Sequence, residues 1–397
     1  MSLDDLLLEV VKRGASDLHL KAGQRPILRI HGHLEAQDDQ PVPTPEFMRR
    51  MALRLLGDQR YNQLLAANEM DLAYTVPDAG RFRVNLFLSM GEVRAVMRHI
   101  PQSIPSFEHL YLPKVLERLS MERRGLLLVT GITGSGKSTT LASMLDFMNR
   151  GRNDHIVTIE DPIEFTHEDR KCVISQREIG QDSTTFAQAL RAALRQDPDI
   201  ILVGEMRDPA TMEVSLHAAE TGHLVLSTLH TMNATETVNR IISTFPPHQE
   251  DQIRSQLSAV ITGIISQRLV IRADGTGRVP AVEVMVATGL IRDCIKEASK
   301  TSQIPAVIGA GQSQYGMQTF DQSLLNLYRE EMVSYETARE AATNPDDFDL
   351  KVKGIFSTGE MTWEASPAPG ASKPGTPPPA PGPAVRPVAS SPFGRRP

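Results

Sequence analysis

Two kinds of hydrophobic spacing divide this chain. Up to about His99, apolar and polar positions mostly alternate. The stretches Asp17-Leu18-His19-Leu20, Ile27-Leu28-Arg29-Ile30-His31-Gly32, Asp71 to Val76, Arg81 to Phe87 and Val93 to His99 follow that period, which predicts strands. Leu6, Leu7, Val10 and Val11 recur at helical spacing within Ser2 to Arg13, and Pro43 to Leu56 also reads as helix. Strands mixed with short helices predict a small α+β domain over residues 1–100. Pro101, Pro105 and Pro113 then mark residues 101–114 as a linker, partly packed through Leu110-Tyr111-Leu112.

From about Val115 the strands become continuous apolar runs separated by helices. Leu126 to Thr130 and Ile200 to Val203 have the character of strands buried on both faces. His155 to Glu160 and His223 to His230 read as further strands, Lys137 to Asn149 and Thr185 to Gln196 as helices. Asp208 is an N-cap, Pro209 a first helical residue and Gly222 a stop, which predicts a helix over Pro209 to Thr221. Asp274-Gly275 between Arg268–Arg272 and Arg278–Val286 predicts a hairpin. The order predicts an α/β domain over residues 115–356, a mainly parallel sheet covered by helices.

After about Ala365 the pattern stops. Eleven of the last 32 residues are proline, and residues 365–397 read as a disordered tail. Hydrophobic residues at 40% and charged residues at 23% fit a globular protein, and a net charge of −6 gives no reason to seek nucleic acid or an anionic membrane. The two cysteines, Cys172 and Cys294, exclude a disulfide framework or a four-cysteine zinc site and suit a reducing compartment. The acidic, amphipathic start lacks the pattern of a signal peptide, and no run approaches about 18 apolar residues, so the expectation is a cytoplasmic protein.

The chemistry concentrates in Gly131-Ile132-Thr133-Gly134-Ser135-Gly136-Lys137-Ser138, which fits G-x-x-x-x-G-K-[ST] and is followed by Thr139. It comes after a buried-type strand and opens a helix, as phosphate binding requires. Glycines let successive backbone N–H groups turn toward phosphate oxygens, and the helix N-terminus adds positive charge. Lys137 is expected to bridge the β- and γ-phosphates of ATP, and the Ser138 hydroxyl to ligate Mg2+.

Hydrolysis also needs a carboxylate to orient and deprotonate water. Glu205 ends the apolar strand Ile200–Val203, on the side where such sheets bind ligands. The competing reading is a strand-end ion pair with Arg207. Glu160, Asp161 and Glu164 form a second acidic cluster at a strand end, where Glu160 or Asp161 can reach the magnesium shell through water; the alternative is an ordinary acidic loop. Ser227-Thr228-Leu229-His230-Thr231 offers hydroxyls and an imidazole to sense the γ-phosphate, against a purely structural histidine. Arg191 and Arg195 are four apart on an expected helix face, Arg81 and Arg83 share a strand face, and Arg94 and Arg98 follow. Such arginines either solvate a surface or serve a nucleotide, in their own subunit or the next.

Together these motifs resemble the secretion-type hexameric ATPases, and within them the PilT/PilU retraction branch. The resemblance rests on Gly14 to Leu20, Arg81-Phe82-Arg83-Val84-Asn85, the phosphate loop, Thr158 to Phe165, Ile179-Gly180-Gln181-Asp182, Ala189 to Asp199 and Glu220 to His230, and covers residues 1 to about 356. It implies a PAS-like first domain, a RecA-like second domain and a homohexamer with ATP at domain and subunit boundaries. It also implies an aspartate box at Glu160 to Glu164, a Walker B glutamate at Glu205, a histidine box from His223 to His230, and nucleotide-reaching arginines at Arg83, Arg98, Arg191, Arg195 and Arg207. The implied partners are an inner-membrane pilus platform protein, which would hold the ring at the cytoplasmic face, and a paralogous retraction ATPase. One departure is Gly289-Leu290-Ile291-Arg292, where the family often has Ala-Ile-Arg; this leaves an accessory, PilU-like role open, whereas Lys300 to Ile304 looks more like PilT.

Extension and type II secretion ATPases usually add an N-terminal region and a four-cysteine module, which two cysteines do not supply. A RecA-like nucleic-acid motor would call for a basic stripe interleaved with aromatics, and aromatics are 5% of the chain. A non-hydrolysing partner subunit is disfavoured by the intact Lys137, Ser138 and Glu205.

Overall fold

In a computed structural model, residues 2–30, 32–100 and 103–355 are described; the proline-rich segment lies outside them. The strands are β1 (Asp17–Leu20), β2 (Ile27–Ile30), β3 (His33–Ala36), β4 (Glu69–Val76), β5 (Gly80–Ser89), β6 (Glu92–Ile100), β7 (Gly125–Thr130), β8 (His155–Glu160), β9 (Val173–Glu178), β10 (Ile200–Val203), β11 (Leu224–Leu229), β12 (Ile261–Ile271) and β13 (Arg278–Val286). The α-helices that matter below are α1 (Leu3–Lys12), α2 (Pro45–Ala67), α3 (Val115–Ser120), α4 (Lys137–Gly151), α5 (Phe186–Ala193), α6 (Pro209–Glu220), α7 (Ala234–Ser243), α8 (Glu250–Val260) and α9 (Gly289–Lys296).

The first six strands form one sheet in the order β3-β2-β1-β6-β5-β4, and each of its pairings is antiparallel. Its apolar face packs on α1 and α2, with Leu7, Leu18, Phe82, Val84 and Met97 fully buried. Ser2 caps α1 by accepting from the Asp5 N–H, and Thr44 caps α2 the same way from Phe47. The sequence pattern predicts the second helix only to Leu56, and the reason is Gly57. Its φ of 69° breaks the helix there, and a second, less apolar segment continues to Ala67.

The remaining strands form the second sheet, in the order β13-β12-β7-β11-β10-β8-β9. Every pairing from β12 to β9 is parallel, and only β13 runs antiparallel to its neighbour. The expected α+β portion followed by a mainly parallel α/β sheet is therefore what the chain forms. Central strands β7, β10 and β11 are buried at every position. That is why they read as unbroken apolar runs. Edge strands β3 and β9 escape sequence prediction for the opposite reason: His33–Ala36 is exposed throughout and Val173–Glu178 is mostly polar.

All parallel strands point their carboxyl ends the same way, so the loops after β7, β8, β10 and β11 meet at one edge of the sheet. No helix among the described residues is long and apolar enough to cross a membrane.

Candidate nucleotide site

The loop after β7 turns sharply because its glycines permit it. Gly131 has φ 144°, and a Cβ there would lie 2.5 Å from the Gln267 carbonyl oxygen and from Ser135 Oγ. Gly136, at φ 91°, forms the left-handed cap from which α4 starts. The Ser135 hydroxyl is buried without a hydrogen-bond partner. A buried orphan of this kind inside a glycine cradle at a helix N-terminus fits a phosphate group. Lys137 is 8% exposed and its Nζ donates to the carbonyls of Gly131 (2.8 Å) and Ile132 (3.0 Å). Burial lowers its ammonium pKa, and the Glu164 and Glu205 carboxylates oppose that shift.

These elements enclose a cavity of about 610 Å³, a size suited to a nucleotide. Thr133, Gly134, Gly136, Lys137, Ser138 and Thr139 line one side. Glu160, Asp161 and Glu164 come from the loop after β8, Glu205 and Arg207 from the loop after β10, and Thr228 and His230 from the end of β11. Gly131 and Ser135 shape the loop from behind. The Gly204 N–H donates to the Ile159 carbonyl at 2.8 Å, and a Cβ on Gly204 would lie 3.4 Å from Glu160 Cα. A glycine here lets the carboxyl ends of β8 and β10 approach, so Glu160 and Glu205 share the cavity.

Glu205 is both a cavity residue and an ion-pair partner. Arg207 Nε lies 2.6 Å from its carboxylate and His230 Nε2 3.6 Å, so the ion pair that competes with a catalytic role is present, at a residue that also lines the cavity. Glu160 accepts from Thr158 Oγ1 (2.6 Å) and from Gln176 Nε2 (3.2 Å). Burial raises its carboxyl pKa, and these hydrogen bonds act against the rise.

Several expected residues fall elsewhere. Ser227 donates into the sheet, to the Val203 carbonyl at 2.7 Å, and Thr231 pairs with Thr237, so of those hydroxyls only Thr228 lines the cavity. His223 sits at the opposite end of β11, its Nδ1 2.9 Å from the Ala218 carbonyl. Arg191 is on α5, but that helix ends at Ala193 and Arg195 lies in the following turn, so the two do not share a helix face. Both are exposed and outside the cavity lining. Arg83 also stays outside it, 3.6 Å from Asp71. Arg98 does line it, held by the buried Asp17 at 2.8 Å, so the first sheet contributes a cation to the site of its own chain.

Sequence reasoning missed Arg278, Leu269, Phe165, His167 and Phe186, which also line the cavity. Arg278 was visible only as the first residue of a hairpin strand. Gly289–Lys296, carrying Ile291 and Arg292, forms α9 and contributes no residue to this lining; Arg292 donates to the Ala259 carbonyl at 2.8 Å.

The model for the type II/IV secretion system protein family matches residues 1–305. The chain belongs to that family. It is 45% identical over 348 residues to the type IV pilus retraction ATPase PilT of Pseudomonas aeruginosa, covering 88% of this chain and 100% of that protein. To the type IV pilus ATPase PilU of the same organism it is 38% identical over 353 residues, covering 89% and 92%. A crystal structure of the pilus retraction motor PilT with bound ADP superposes with a TM-score of 0.81 at 43% identity, over 87% of this chain and 98% of that one. Nucleotide binding and ATPase activity thus belong to this chain as a family member.

His167 supplies a pH signature. Burial pushes its pKa down to about 4 from 6.5, opposed by Asp146, and its Nδ1 is buried without a partner. Between those values the unfolded chain binds a proton that the folded chain refuses. The stability that a neutral His167 permits is therefore whole above about pH 6.5 and drains as pH falls toward about 4. His167→Gln should remove on the order of 3 kcal/mol of the pH dependence of folding across that window, read from urea midpoints. Equal slopes for both proteins would contradict the burial of this imidazole.

Proposed function

We propose that this chain is the ATPase subunit of a homohexameric ring that couples ATP hydrolysis to retraction of a type IV pilus. The observation that carries the proposal is the convergence of Lys137 and Glu205 in one cavity at the carboxyl edge of the sheet. Similarity to PilT across nearly the whole chain supports the mechanical role, and the higher identity to PilT than to PilU, 45% against 38%, favours the retraction motor over an accessory one.

In this reading the backbone of Gly131 to Gly136 cradles the β-phosphate, and Lys137 places its charge between the terminal phosphates. The Ser138 hydroxyl, with Glu160 or Asp161 through water, would hold Mg2+, which would supply positive charge against the terminal phosphates. Thr139 continues the helix N-terminus beside them. Glu205 takes a proton from the attacking water as the oxygen bonds to the terminal phosphorus and the bond to the diphosphate breaks. Arg207 and His230 orient the Glu205 carboxylate, and Glu164 balances Lys137. Arg98 serves its own cavity, while the exposed Arg83, Arg191 and Arg195 are free to serve a neighbouring subunit's site in trans. Domain rotation on phosphate loss transmits the work. The ring would sit at the cytoplasmic face of the inner membrane, held by the pilus platform protein, with a paralogous retraction ATPase as a further partner. Nucleic acid has no part in it.

Glu205→Gln should trap ATP in assembled rings with turnover reduced at least about a hundredfold; near-normal hydrolysis would reject its role as base. For Arg83→Ala, nucleotide titration should give nearly wild-type affinity while assembled rings lose most of their turnover. Unchanged turnover would remove the arginine from the trans site. Deletion of the gene, scored for surface pili and twitching, should give excess pili without motility; bald cells would mean extension instead.

A further inference from the structure

The edge strand β9 grips the acidic loop along one face. Gln176 and Glu178 are two residues apart, so both side chains project to the same side of the strand. The Gln176 amide makes three contacts. Its Nε2 donates to Glu160 Oε1 at 3.2 Å and to the Phe165 carbonyl at 2.9 Å, and its Oε1 accepts from the His167 N–H at 2.9 Å. One side chain therefore ties both ends of the Glu160–His167 segment together. Glu178, 4% exposed, takes the middle: its carboxylate accepts from the Ile163 N–H at 3.4 Å and from Arg81 at 2.8 Å. Arg81 is on β5, in the first sheet, so the clamp is anchored outside the ATPase sheet.

We propose that Gln176 is a positioning residue for hydrolysis, one that fixes the Glu160 carboxylate and the loop behind it through a bifurcated amide clamp. The chemistry demands such a group. A carboxylate that must hold a cation through water works only within a fraction of an ångström of its proper place. Thr158 holds the Glu160 carboxylate from within β8 and the Glu164 backbone N–H meets it from the loop, but the far end of the loop, at Phe165 and His167, is tied to Glu160 through Gln176. Gln176 is also neutral, so it orients Glu160 without cancelling its charge. The charged groups facing Glu160 are Asp161 and Glu164 on its own loop, Lys137 on α4, Glu205 beyond β10, and Arg98, Arg207 and Arg278 across the cavity.

This inference rests on the reading of Glu160 as part of the hydrolytic site. Steady-state ATP turnover by assembled rings tests both separately. Glu160→Gln should lose turnover, and wild-type activity there would sink the role of Glu160 itself. Gln176→Leu should cut kcat by between about tenfold and a hundredfold in the wild-type background. In the Glu160→Gln background the same change should cost less than about twofold, because Gln176 acts through Glu160. The same factor in both backgrounds, or wild-type turnover of the single variant, would overturn the proposal. Should Gln176→Leu not assemble, Gln176→Glu keeps the acceptor for His167 and removes the donors. Its kcat should fall at least about tenfold in the wild-type background and less than about twofold in the Glu160→Gln background, and equal factors in both would equally overturn the proposal.

Discussion

Lys137 keeps a positive charge where water scarcely reaches, donating to two backbone carbonyls in a loop that folds over it. Leaving such an ammonium unpaired would cost several kcal/mol. The fold meets that cost by bringing carboxylates to it from separate strands: Glu164 after β8 and Glu205 after β10. Four acids and four permanent cations line the one cavity, so neither sign dominates. The parallel sheet makes this possible, because only parallel strands deliver the loops after β7, β8, β10 and β11 to the same edge.

The same balance links the cavity to the first sheet. Arg98 enters it from β6, and Arg81 reaches Glu178 beside the acidic loop from β5. A shift of the first sheet relative to the second would move Arg98 within the cavity and disturb the Arg81–Glu178 pair at once. A motor needs such a link: a change of charge at the nucleotide must be felt by a rigid element that can move.

The sequence pattern exposed the parts of the fold that obey a single rule. Continuous apolar runs marked β7 and β10, and Asp208, Pro209 and Gly222 bounded α6 nearly to the residue. The glycine-rich loop and Glu205 were legible as residues of one cavity because both sit at the carboxyl ends of apolar strands. What stayed hidden depends on neighbours distant in sequence. Edge strand β9 carries no apolar period, so neither it nor Gln176 stood out. Arg278 looked like any hairpin arginine until β13 placed it at the cavity. Arg195 seemed to share a helix face with Arg191, but α5 stops two residues short of it. The hydroxyls after β11 looked equivalent in sequence, yet strand alternation turns Ser227 inward and Thr228 toward the cavity.

The central claim is that the loop before Lys137 wraps phosphate while Glu205 faces its terminal group. A crystal structure of the assembled ring with Mg2+ and a non-hydrolysable ATP analogue tests this directly. The account predicts that Lys137 Nζ exchanges its backbone carbonyls for phosphate oxygens and that a water lies between Glu205 and the terminal phosphorus. An analogue seated elsewhere, or a Glu205 turned away from the phosphates toward the core, would contradict it.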